Sequence, residues 1–210
     1  EELVLDDEAA AILVTAHLEA AGPVTVDMLT GEGILGVGPL RGAPLTPMRA
    51  ALHAFIDNLP SEAEITLITT GGQIRVRVPP TADRQKLHDG VGLFASDGGA
   101  NAFVDTLLES DMRFLKGVSD RRPVFVILTT DNGSNVREQR LDAYNKFARE
   151  FVARGGRAHG LVVRGTGSGV TSVVTEHLAQ STGGYYDVIN VASGIPKAMK
   201  TLTEYVAADQ

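Results

Sequence analysis

At 210 residues the chain is long enough for one large domain with a full core. A hydrophobic content of 43% with 21% charged residues is ordinary for a soluble globular protein, and the net charge of −7 gives no electrostatic footprint for nucleic acid, which requires a basic stripe. The absence of cysteine excludes disulfides and thiolate metal sites, and no apolar stretch approaches the roughly 20 residues of a membrane helix.

The chain begins Glu1-Glu2 rather than with methionine, as expected of a processed or excised domain. Residues 1–22 read as an N-terminal extension open to two forms. Ile12, Val14, Ala16 and Leu18 alternate with Leu13, Thr15, His17 and Glu19, as in a strand over 11–19, whereas the alanine-rich run Glu8–Ala21 fits a helix. Pro23–Leu29, with Val24, Val26 and Met28 alternating, is the stronger candidate for the first strand. The Gly- and Pro-rich stretch Gly31–Pro44 reads as a loop.

From there strands and helices alternate. Thr46-Pro47 supplies an N-cap and a proline at the first helical position, and Met48, Ala51, Leu52, Phe55, Ile56 and Leu59 form one stripe that Pro60 ends. Glu64–Thr70 predicts a strand that turns at Gly71-Gly72 into Gln73–Val78, where Ile74, Val76 and Val78 alternate with Gln73, Arg75 and Arg77. The charged face of that second strand suits a sheet edge, and Pro79-Pro80 breaks the chain. Leu87, Val91 and Phe94 mark a short helix; Val104, Leu107, Leu108, Met112 and Leu115 mark a longer one. Residues 123–130 form a continuous apolar strand, followed by a helix carrying Leu141, Tyr144, Ala148, Phe151 and Val152. Ala158–Arg164 is a strand, Thr171–Ser181 a helix and Tyr185–Asn190 a strand. The last helix carries Ile195, Met199, Leu202 and Val206 behind Ser193 as its cap. Such alternation implies βαβ units, a mostly parallel sheet and helices on both faces. No internal repeat, low-complexity tract or linker interrupts it, so residues 1–210 read as one domain.

Asp131 is the most informative residue, because the apolar run Pro123–Thr130 stops at it and Asn132-Gly133 then turns the chain. Ligands of open α/β sheets gather beyond the carboxyl ends of such strands. Catalytic constellations are thin. There is no G-x-S-x-G elbow and no cysteine nucleophile. His17, His53, His88, His159 and His177 are scattered without H-x-x-x-H spacing and read as surface or packed residues. Asp6-Asp7 and Glu62/Glu64 read as solvated carboxylates. Gly31-Glu32-Gly33-Ile34-Leu35-Gly36 fits G-x-G-x-x-G, yet Gly38, Pro39, Gly42 and Pro44 follow where a dinucleotide fingerprint needs a helix. Gly165-Thr166-Gly167-Ser168-Gly169 lacks a Walker lysine and reads as a βα loop.

Four patterns occur in sequence: Val76-Arg77-Val78-Pro79-Pro80-Thr81 before a helix, Asp97-Gly98-Gly99-Ala100-Asn101 before another, Ile127-Leu128-Thr129-Thr130-Asp131 at a strand end, and Ser181-Thr182-Gly183-Gly184-Tyr185-Tyr186 before the last strand. Together they resemble the von Willebrand factor type A (vWA) domain, in particular its divergent bacterial-type members, over roughly residues 23–207. The resemblance implies an α/β fold with a doubly wound, mostly parallel sheet in a Rossmann-type three-layer arrangement and one antiparallel edge strand, residues 73–78.

In that family a metal-ion-dependent adhesion site combines an Asp-x-Ser-x-Ser loop after the first strand, a threonine after Gly-Gly, and the aspartate ending the fourth strand. The best match for the loop here is Asp27-Met28-Leu29-Thr30-Gly31, with Leu29 and Gly31 in the serine places and Ala100 in that of the threonine. Mg²⁺ demands octahedral oxygen ligands, so each missing hydroxyl matters. The resemblance therefore implies a degenerate site without metal or other cofactor; the alternative is Mg²⁺ held by Asp27 and Asp131 after a loop shift that recruits Thr30 and Asn101, with Ser134 close by. Asp131 also reads as an Asx cap on its own turn, or as a direct partner contact.

The implied function is non-catalytic recognition of another protein, with no nucleic acid partner and no membrane insertion by this segment. Its contact face would be the loops 29–45, 97–101, 131–136 and 165–170, with Asp131, Asn132, Ser134, Asn101 and Thr30 as contact candidates. The expected setting is extracytoplasmic, secreted or periplasmic, in a bacterium. A nucleotide-binding Rossmann-type enzyme using Gly31–Gly36 is the rival reading, and it requires a helix starting near Gly33.

Overall fold

The computed structural model describes residues 24–30, 45–69, 74–94, 103–118, 122–130, 138–164 and 170–208. The two readings of the N-terminal extension and the Gly31–Pro44 loop lie outside the described residues. In chain order the elements are β1 (Val24–Thr30), α1 (Leu45–Asn58), β2 (Glu64–Thr69), β3 (Arg75–Thr81), α2 (Arg84–Gly92), α3 (Phe103–Ser110), β4 (Arg122–Thr130), α4 (Glu138–Ala153), β5 (Arg157–Val163), α5 (Val170–Thr182), β6 (Tyr186–Ile189) and α6 (Ile195–Ala208). The first described strand is therefore the one expected over Pro23–Leu29.

The strands form one six-stranded sheet in the order β3-β2-β1-β4-β5-β6. Every neighbouring pair is parallel except the β2–β3 hairpin at one edge. Two cores result, one on each face. Met48, Leu52, Phe55 and Ile56 of α1, with Leu87 and Val91 of α2 and Met199, Leu202 and Val206 of α6, pack on Ile65, Leu67, Val124, Val126, Leu128 and Leu161. Phe103, Val104 and Leu107 of α3, with Tyr144, Phe147 and Phe151 of α4 and Val174 and Leu178 of α5, pack on Ile68, Phe125, Ile127 and Ala158. Residues of β4 thus alternate between the cores, the period-2 geometry of a strand covered on both faces. Burying one such large apolar side chain contributes about 1.5–3 kcal/mol.

Three local expectations are corrected. Pro79 and Pro80 do not break the chain but form part of β3. An edge strand tolerates the missing N–H groups, and irregular pairing with β2 between Ile65 and Ile68 bends the ladder. The bend also disturbs the expected alternation, leaving Val76 exposed while Val78 is buried. Met112 is 67% exposed rather than part of the helical stripe. α3 passes into a π-turn, Asp111–Leu115, and its buried arc runs through Phe103, Leu107, Ser110 and Asp111. A carboxylate occupies the core-facing place because Arg154, just past α4, donates to both of its oxygens at 2.7 and 2.8 Å. Ser193 is not the cap of α6; it sits inside the 3-10 turn Ala192–Gly194 that feeds the helix.

The Gly183-Gly184 pair shows why the Gly-Gly-aromatic pattern is needed here. Gly183 has φ +70° and closes α5: its N–H donates to Gln180 O at 3.1 Å and that of Gly184 to Ala179 O at 2.8 Å, a Schellman motif. A Cβ on Gly184 would lie 1.7 Å from the carbonyl oxygen of Ala158, a backbone atom of β5. Gly184→Ala is expected to cost about 3 kcal/mol or more by overpacking, and Gly183→Ala about 1–2 kcal/mol by its left-handed conformation. Urea denaturation of the two variants checks the ranking.

Burial raises the Asp111 carboxyl above its ordinary range, and the Arg154 hydrogen bond and charge oppose that only in part. A carboxyl raised in the folded state contributes stability that is complete below its unfolded value and is lost as pH rises through the folded one. Asp111→Asn should therefore gain on the wild type between about pH 4 and neutrality. Paired urea melts across that window test the sign; a variant losing ground would mean that the ion pair outweighs burial.

Candidate functional site

In an open doubly wound sheet the crevice for ligands lies where the strand order reverses. Here that point falls between β1 and β4, since β1 connects toward β2 and β4 toward β5. β1 ends at Thr30, β2 at Thr69 and β4 at Thr130. Thr30 pairs with Thr69 on one side and Leu128 on the other, so the carboxyl ends of three central strands lie side by side and all finish on threonine. Thr69 is buried, and its hydroxyl accepts a 3.1 Å hydrogen bond from Nε of Arg77 on β3; Thr129, next to Thr130 on β4, is also buried. Sequence reading missed Thr69, Arg77 and Thr129 as edge residues. The only signal was that two of the three lie at the ends of apolar runs.

Asp131 follows Thr130 in the sequence, but Asp131, Asn132, Ser134 and Asn101 all lie outside the described residues, as do Gly31–Gly36 and Gly165–Gly169. For Asp27 and Thr30 the backbone is described, and it sets them at different heights along β1. Asp27 pairs with Phe125 in the body of the sheet. From there β4 runs through Val126, Ile127, Leu128 and Thr129 to Thr130, about 16 Å further along at ~3.3 Å per residue. The ladder does not bring the Asp27 backbone to the strand tip where a cation site of the adhesion type would have its first aspartate; Thr30 is the β1 residue at that edge. The nearest carboxylate after Thr30 in the sequence is Glu32.

Elsewhere among the described residues one buried titratable pair serves packing. Tyr144 is fully buried, its hydroxyl within 3.1 Å of Val174 O and 2.8 Å of Nδ1 of His177. Burial drives the phenol up and the imidazole down, so both are held neutral. A largely apolar groove of about 470 Å³ runs between α1 and α6, lined by Ala50, Ala54, Phe55, Pro196, Met199 and Thr203 among others, in the outer helical layer rather than at the strand ends. One reading of the histidines needs correcting. They are not all apart, because packing of α1 on α2 brings His53 and His88 into contact.

Proximal thread matrix protein 1 of the mussel byssus superposes with a TM-score of 0.70 at 12% identity, over 90% of this chain and 49% of that one. The fold is that of a von Willebrand factor type A domain. A second vWA structure, from Catenulispora acidiphila, gives a TM-score of 0.66 at 15% identity over 87% of this chain and 42% of that one. The SpRpn10 VWA domain gives 0.62 at 12% identity over 82% and 93%. This chain thus spans about half of the mussel protein, which has also been crystallised with zinc in its metal-ion-dependent adhesion motif. No family profile and no curated protein matches the sequence. At these identities the likeness to vWA structures is one of fold.

Proposed function

We propose that this vWA-fold domain is a non-catalytic recognition module that binds another protein through the carboxyl edge of its sheet. The observation that carries the reading is the strand order, because it gathers at one edge the ends of β1, β2 and β4, the strands after which the loops 29–45 and 131–136 follow in the sequence. Asp131, Asn132, Ser134, Asn101 and Thr30 are the contact candidates. Loops on a rigid scaffold are where recognition is ordinarily built. Fold alone does not name a function, so the proposal rests on this edge and on the chemistry of its residues.

The same proposal holds the adhesion-type metal site to be degenerate. Ala100 matches the family's threonine, and Thr30 rather than an aspartate ends β1. Asp27 lies well back in the β1–β4 ladder. Mg²⁺, which needs a nearly complete oxygen octahedron, has too few ligands in that arrangement. Recognition then relies on surface shape and hydrogen bonds.

Calorimetric titration with Mg²⁺ or Mn²⁺ is expected to give no stoichiometric heat. A one-to-one heat abolished by Asp131→Ala would replace the degenerate site with a working one. Nucleotides are expected to leave the melting temperature unchanged; a rise would favour the Gly31–Gly36 enzyme reading.

A photo-crosslinking residue introduced at Asn132 or at Asn101, in cells of the source organism, is expected to capture a protein. The same residue at the exposed Lys197 on α6 should not. Adducts at Lys197 alone would move the contact face away from the strand ends.

A further inference from the structure

His53 of α1 and His88 of α2 face each other through their Nδ1 atoms at 2.7 Å, with ring centroids 4.9 Å apart. Nε2 of His88 lies 2.8 Å from Oδ1 of Asp57, one helical turn beyond His53 on α1. A carboxylate accepts hydrogen bonds and does not donate them, so Nε2 of His88 carries the proton. In the neutral ring the lone pair is then on Nδ1, aimed at Nδ1 of His53. This is the tautomer that a metal-ligating imidazole adopts when a carboxylate holds its other N–H.

We propose that His53 and His88 form a two-nitrogen site for a borderline divalent transition cation, zinc foremost, with Asp57 as the positioning residue behind His88. Both rings are partly exposed, so solvent reaches the site. Among the described residues no three histidine, cysteine or acidic side chains converge on one point. Water therefore completes the coordination shell. Tetrahedral Zn–N bonds of ~2.0–2.1 Å set two nitrogens about 3.3 Å apart, so on binding the nitrogens part slightly, His53 gives up its Nδ1 proton, and each ring turns by roughly 35° so that the two lone pairs meet at the metal instead of facing each other. Imidazole nitrogen selects zinc or copper over Mg²⁺ and Ca²⁺, which take oxygen. Asp57 lies one residue from the end of α1, and α1 runs back from the carboxyl edge of the sheet, so this site is separate from the edge that holds Thr30 and Thr130.

The test is calorimetric titration of tag-free, chelator-stripped protein with zinc chloride, paired with imidazole ¹⁵N spectra. One zinc per chain is expected, with Nδ1 of His88 shifting on binding. His53→Gln and His88→Gln should each weaken binding by tenfold or more. Asp57→Asn should weaken it by about 10- to 100-fold. Asp131→Ala should leave it unchanged, which separates this site from any cation at the strand ends. Circular dichroism establishes that each variant is folded. Heat that survives both histidine variants, or an unshifted His88 nitrogen at millimolar zinc, would overturn the proposal and leave the two rings sharing only a proton.

Discussion

Everything in this fold hangs on β4 being buried on both faces. Val124, Val126 and Leu128 belong to one core, and Phe125 and Ile127 to the other. The strand is bonded along its length to β1 on one side and β5 on the other. With water excluded from both faces, each backbone polar group must find its partner in the ladder, and a slip of one residue would exchange the two cores. Register is consequently fixed, and so is the relative height at which β1 and β4 end. The crevice at Thr30 and Thr130 follows from that pairing.

Three polar contacts among the described residues lie at seams between helices. Asp111 meets Arg154 between the π-turn and the end of α4, Tyr144 meets His177 between α4 and α5, and His53 meets His88 between α1 and α2. Each joins elements far apart in sequence. Only the first carries opposite charges into a largely buried place, and an isolated carboxylate there would be costly to desolvate. The second is a neutral link, directional but inexpensive to bury. The third is partly exposed, and the Asp57 contact fixes which nitrogen of His88 faces inward, the property that makes it a candidate for ligand chemistry rather than packing alone.

A rigid two-core scaffold with its chemistry confined to the strand ends is a common division of labour in α/β domains. The vWA fold seen here fixes the framework at 12–15% identity to the structures it resembles, which shows how little of that framework depends on particular side chains. Apolar residues at the right period suffice for it. The proposed recognition rests instead on residues whose identity the framework does not constrain, which is why the edge residues rather than the core carry that proposal.

Periodicity alone determined the element types, because burial imposes period 2 on β4 and a repeating stripe on α1, both written plainly in the sequence. Gly183-Gly184 was equally legible as a motif, though only the 1.7 Å approach to Ala158 explains the second glycine. Tertiary structure decided what rests on non-local partners. Asp111 turned inward and Met112 outward because Arg154 waits across the seam. Asp27, the best sequence match for the loop aspartate at the strand end, lies mid-ladder because β1 runs on to Thr30. His53 and His88, 35 residues apart, became neighbours through helix packing. The physical reason is the same in each case: local spacing encodes which face a residue takes, whereas the partner on that face is set by how separate elements pack.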